Sequence, residues 1–128
     1  FGLAFGTAYQ IYDDCVDLFG TEKAAGKSLG TDLAKGKLTY PVLLAWERAN
    51  AADRTRLETL VQAWQPGSFA RVTELLTRYE TLAPSLELIE RYLTQARQSL
   101  RSLPESGGRA GLAGVTDYLA RQTAALSE

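Results

Sequence analysis

The sequence predicts an all-α fold on three observations. Apolar residues recur at helical spacing, as with Leu86, Ile89, Leu93 and Ala96. No stretch alternates apolar and polar residues as a half-buried strand does. Pro, Gly, Ser and Asp punctuate the chain at places that start and stop helices. No repeat with a fixed period interrupts this pattern.

The elements follow in order. Residues 1–19 contain no proline and are apolar nearly all round, which predicts a buried helix ended by Gly20. Residues 20–37 read as a loop, where Gly20, Gly26, Gly30 and Gly36 are interleaved with Lys23, Lys27, Lys35 and Lys37. A short helical turn is expected at 22–25. Thr39-Tyr40-Pro41 opens a helix to about Ala49, with proline early in its first turn. Asp53 is expected to cap a helix ending near Ala63. Gln65-Pro66-Gly67 makes a turn, and Ser68 is expected to cap a helix through about Tyr79. Pro84 or Ser85 opens a long amphipathic helix to about Leu103. Residues 104–108 form a loop, and the last helix covers about 110–125.

Composition narrows the chemistry. A chain of 128 residues, 45% hydrophobic, fits one domain with a real core. A net charge of -1 gives no footprint for a nucleic-acid partner. No apolar run approaches the ~20 residues that span a bilayer. No signal peptide is visible, so the default compartment is the cytoplasm. The absence of histidine excludes His-based triads and His-ligated zinc. A single cysteine excludes an internal disulfide or a cysteine metal cluster. There is no methionine, and the chain opens on the apolar, uncapped Phe1-Gly2-Leu3-Ala4-Phe5-Gly6. The expectation is that the N-terminal part of a longer protein is missing.

The chemistry-bearing residues lie on the first helix. With Asp13 at zero, Asp17 falls near ~40°, Gln10 near ~60° and Asp14 near ~100° around the axis. Three carboxylates that close repel one another, and on a buried helix their charge is costly unless cations neutralise it. Oxygen-only ligands suit magnesium, which takes one or two carboxylates and completes its shell with water and phosphate. The plain alternative is a solvated face, since a bare DDxxD string is short and common. Gly2 and Gly6 share the aspartate face. They leave room for an apolar ligand tail or for a closely packed helix, and the pattern does not choose. Lys27 and Lys37, each preceded by glycine, can approach phosphate oxygens alongside backbone N–H groups. The stretch from Gly20 to Ser28 imitates a P-loop but has one residue too many and follows a helix instead of a strand, so a nucleotide site is rejected. Cys15 points away from the aspartates and reads as a core residue.

The ordered block from Tyr9-Gln10-Ile11-Tyr12-Asp13-Asp14-Cys15-Val16-Asp17 through Gly26-Lys27-Ser28-Leu29-Gly30-Thr31-Asp32-Leu33 to Gly36-Lys37-Leu38-Thr39-Tyr40-Pro41 resembles the trans-isoprenyl diphosphate synthases. The resemblance extends more loosely over the rest of the chain. It implies the C-terminal helices of the isoprenoid synthase bundle, with residues 1–128 forming the C-terminal portion of a polyprenyl synthase domain. It further implies a magnesium-dependent condensation of an allylic diphosphate with isopentenyl diphosphate, in a homodimer. Asp13, Asp14 and Asp17 would be the second aspartate-rich motif, binding magnesium directly or through water. Lys27 would contact the allylic diphosphate, Gln10 would lie near the substrate, and Lys37 would help shape or close the loop. The family's first aspartate-rich motif and its upstream basic residues are absent from these residues, so the 128 residues are expected to be inactive alone. A regulatory subunit is the alternative. A terpene cyclase is disfavoured, because no mixed Asn/Ser/Glu metal motif is found. Tyr118 and Arg121, near the end of the chain, are given no role.

Overall fold

The computed structural model describes residues 1–22, 26 and 28–128. Among them lie seven helices and no strand: α1 (Gly2–Phe19), α2 (Thr31–Ala34), α3 (Tyr40–Arg48), α4 (Ala51–Gln62), α5 (Ser68–Arg78), α6 (Leu82–Leu100) and α7 (Gly107–Ala125). The all-α expectation holds. The turn expected at 22–25 falls on Lys23, Ala24 and Ala25, which lie outside the described residues. No described helix is long and apolar enough to cross a membrane.

Two compact units divide the chain, and both boundaries fall inside helices. One unit is Asp14–Ser85. Its core joins Leu18 of α1, Leu33 of α2, Val42 and Ala45 of α3, Leu57 of α4, and Val72, Leu75 and Leu76 of α5. The last three sit at helical spacing, so α5 buries one continuous stripe against α3 and α4. Each buried Leu or Val contributes about 1.5–3 kcal/mol relative to exposure. Phe19, Leu60, Trp64 and Phe69 close the margins of this core.

A polar knot ties the same three helices beside the core. The Asp53 carboxylate is buried and accepts from the Tyr79 hydroxyl at 2.5 Å and from Arg78 Nη1 at 3.1 Å. Arg56 lies 3.7 Å away, and these partners hold the Asp53 carboxyl below its ordinary range, the Tyr79 bond contributing most. Arg48 donates to the carbonyls of Tyr79 and Glu80 at the end of α5. Asp53 is therefore not the cap of α4. Asn50 is, since its Oδ1 accepts from the Asp53 N–H at 2.8 Å. Asn50 precedes the helix and has the extended backbone a cap requires, whereas Asp53 is already helical. Ser68 is likewise the first residue of α5, and its hydroxyl accepts from the Gln65 N–H in the preceding turn.

The other unit is Phe1–Asp13 with Leu86–Glu128. Ala8, Ile89, Leu93, Ala96, Leu100 and Leu119 form its buried apolar set. Thr116 and Thr123 are buried with them, each hydroxyl donating to a carbonyl one turn back at 2.8 Å. α6 begins at Leu82, two residues before Pro84, so the proline falls in a first turn where its missing N–H costs nothing. α7 begins at Gly107, because Ser106 caps it by accepting from the Arg109 N–H.

Burial of α1 is only partial, against expectation. Ala8, Cys15, Asp17 and Leu18 are buried, but Leu3 is 86% and Tyr9 53% exposed. A helix apolar all round does not designate its inner face; its packing partners do. The face of Gly2 and Gly6 has no partner among the described residues: a Cβ on either meets nothing within 4 Å.

Candidate functional site

The carboxylates of α1 differ sharply in environment. Asp17 is fully buried, Asp14 is 7% exposed, and Asp13 is half-buried. Gln10, one turn earlier, is exposed. Asp17 takes three donors: the Thr31 N–H at 3.2 Å and hydroxyl at 3.0 Å on Oδ1, and the Asp32 N–H at 3.2 Å on Oδ2. The Asp17 carbonyl accepts a fourth bond from the Gly30 N–H at 2.9 Å.

Glycine geometry makes this close approach possible. Gly30 has φ 75, in the left-handed region, and a Cβ there would sit 2.6 Å from the Phe69 ring. Gly36 has φ 78 and turns the chain after α2. The Lys37 N–H then donates to the Asp32 carbonyl at 2.8 Å, and Lys37 Nζ reaches Asp14 Oδ1 at 3.2 Å. The lysine side chain is 49% exposed, so the pair is open to water on one side. The structure thus brings Asp14 and Lys37 together. Lys27 lies outside the described residues.

The α1 carboxylates are of the chemical kind that magnesium takes. Carboxylate oxygens are the hard donors it takes, and it keeps water and phosphate in its shell instead of using a closed protein cage. Among the described residues, no group of three or more His, Cys, Asp or Glu is arranged to hold a metal ion. Beside the α1 aspartates Cys15 is fully buried, and burial pushes its thiol up to about 12, with Asp14 adding to the effect. Burial also raises the Tyr12 phenol, and Tyr118 raises it further. Tyr118 and Arg121 are both exposed.

Sequence reading missed two partners. Thr31 and Asp32 stood inside the recognised block without a role, yet both bind Asp17. The signal was there: a Gly-Thr-Asp triplet after glycine-rich chain is a natural backbone clasp for a carboxylate.

A family model described as "Polyprenyl synthetase" matches residues 1–79. The chain is 33% identical over 119 residues to a short chain isoprenyl diphosphate synthase of Methanothermobacter thermautotrophicus, covering 93% of this chain and 37% of that protein. It is 32% identical over 122 residues to heptaprenyl diphosphate synthase component 2 of Bacillus subtilis, covering 95% of this chain and 34% of that protein. Among solved structures, a polyprenyl synthase from Caulobacter crescentus, complexed with calcium and isoprenyl diphosphate, superposes with a TM-score of 0.84 at 30% identity. That match covers 94% of this chain and 38% of the other. The chain therefore spans little more than a third of the length of these proteins.

Proposed function

Since the chain belongs to the polyprenyl synthetase family, we propose that it forms part of a prenyltransferase that joins an allylic diphosphate to isopentenyl diphosphate in isoprenoid biosynthesis. The observation that carries this reading is the pairing of an aspartate-rich helix face with a lysine returned to it, Lys37 Nζ at 3.2 Å from Asp14. In a diphosphate enzyme such a surface holds metal and anion side by side.

Each residue then has a task. Asp13, Asp14 and Asp17 form the aspartate-rich motif, in which Asp13 and Asp14 would hold magnesium. Magnesium, when bound, polarises the diphosphate so that it leaves as an anion. Lys37 closes the loop over that group, and Lys27 contacts the allylic diphosphate directly. Gln10, one turn before Asp14, lies near the substrate. The Caulobacter protein carries calcium and isoprenyl diphosphate, which supports a divalent cation and a prenyl diphosphate as partners here.

These 128 residues supply the second aspartate-rich motif, and turnover requires the remaining helices of the bundle, in a cytoplasmic homodimer. A two-component assembly is the second reading. It is favoured by the relative named as component 2 of a heptaprenyl diphosphate synthase, and in it the chain would serve as a regulatory subunit. The test is to incubate the intact protein with magnesium, isopentenyl diphosphate and a series of allylic diphosphates, then analyse the products. Chain elongation by the protein alone supports the first reading. Elongation only after a second component is added supports the other, and no elongation in either case removes both.

A further inference from the structure

Asp17 is bound by one continuous segment of the chain that follows α1. Its carboxylate and carbonyl together receive four donors, all from Gly30, Thr31 and Asp32. Three of the carboxylate's roughly four acceptor sites are taken. Turning the group towards a metal would strand the Thr31 and Asp32 amides and the Thr31 hydroxyl, and the Asp17 side of that contact is fully buried. Asp14, three residues earlier on the same helix, accepts from the side-chain end of Lys37 at 3.2 Å.

The chain leaving Asp17 comes straight back to Asp14. Asp32 gives its N–H to Asp17 and accepts the Lys37 N–H on its carbonyl at 2.8 Å. One residue is therefore fixed from both sides, and it sets where the Lys37 backbone begins its reach. We propose that Asp17 is a positioning residue: it clasps the Gly30–Thr31–Asp32 turn and thereby places Lys37 at Asp14, and it is not a magnesium ligand. The catalytic importance of this placement rests on the reading given under Proposed function, whereas the clasp itself does not.

Two measurements on the intact protein separate the roles. The first is amide hydrogen exchange of the segment holding residues 30–37, without metal or substrate. Asp17→Asn keeps an acceptor for Thr31 but turns an amide NH2 towards the Asp32 N–H. It should speed exchange there ~10-fold or more, the scale of losing one hydrogen bond to a charged group. Thr31→Val should speed it less, and Thr31→Ser should restore the native rate. Asp13→Asn should leave the segment unchanged. The second is calorimetric titration of magnesium with inorganic pyrophosphate as the anion. Asp13→Asn should weaken magnesium ~10-fold, while Asp17→Asn should change it by no more than ~2-fold.

The proposal is overturned if Asp17→Asn leaves exchange at the native rate, or if it weakens magnesium as much as Asp13→Asn does. If Asp17→Asn does not fold, the Thr31 pair still decides: equal exchange in Thr31→Val and Thr31→Ser overturns the clasp. If exchange behaves as expected while neither aspartate variant affects magnesium, the clasp stands and the magnesium reading fails.

Discussion

Replacing Gly30 by alanine tests the local geometry of the site most directly. Gly30 has φ 75, and a left-handed backbone costs an L-residue about 1–2 kcal/mol. The added Cβ would also lie 2.6, 3.1 and 3.2 Å from three atoms of the Phe69 ring. That ring packs against the buried core, so it yields only by disturbing its neighbours. Overpacking of this kind costs about 1–3 kcal/mol. Gly30→Ala should therefore destabilise the protein by about 2–5 kcal/mol, a large share of a typical stability of about 5–15 kcal/mol. Gly36 is the matched control, with φ 78 and nothing within 4 Å of its Cβ position. Gly36→Ala should cost only the backbone part, about 1–2 kcal/mol. Urea unfolding midpoints at constant slope give both values. Combining Gly30→Ala with Phe69→Ala should recover the contact part in a double-mutant cycle. Equal costs at Gly30 and Gly36, or no coupling to Phe69, would refute the reasoning.

Further outcomes test other parts. Asp13→Ala should lower turnover of the intact enzyme by ~100-fold or more, and near-native rates would remove it from the metal site. Lys37→Ala should raise the KM for the allylic diphosphate ~5-fold while changing stability by no more than ~1 kcal/mol, because its ion pair is half open to water. Cys15, fully buried and with its thiol pushed up to about 12, should resist iodoacetamide at pH 8 and react only after unfolding in denaturant. Asp53 has a lowered folded-state pKa, so its contribution is present above its ordinary value of 3.8 and is lost as pH falls through the folded value. Tyr79→Phe removes the largest cause, so its unfolding midpoint should fall less steeply than the native one as pH is lowered below about 4.

The fold was legible where physical signals were local and strong. The stripe of Leu86, Ile89, Leu93 and Ala96 carries helical periodicity, and its last three members are fully buried. Caps were read less well. Asn50 and Asp53 are both good capping types, and only the extended backbone at Asn50 decides between them. Ser106 was overlooked because Gly107 and Gly108 argue for a loop, yet one hydroxyl on the Arg109 N–H starts α7 there. At the candidate site, helical spacing put Asp13, Asp14 and Asp17 on one arc, but spacing along a helix says nothing about what returns to meet it. The approaches of Thr31 to Asp17 and of Lys37 to Asp14 span 14 and 23 residues, and only the folded chain reveals them.

Those two closures are nested, the shorter lying inside the longer, and this has a consequence for how the region assembles. Joining distant points of a flexible chain carries an entropic cost that grows with the logarithm of the loop length. Once residue 31 is held at residue 17, the outer loop shrinks from 23 residues to roughly nine, which lowers its closure cost by about 0.8 kcal/mol. The Asp17 and Lys37 contacts therefore assist one another without sharing an atom.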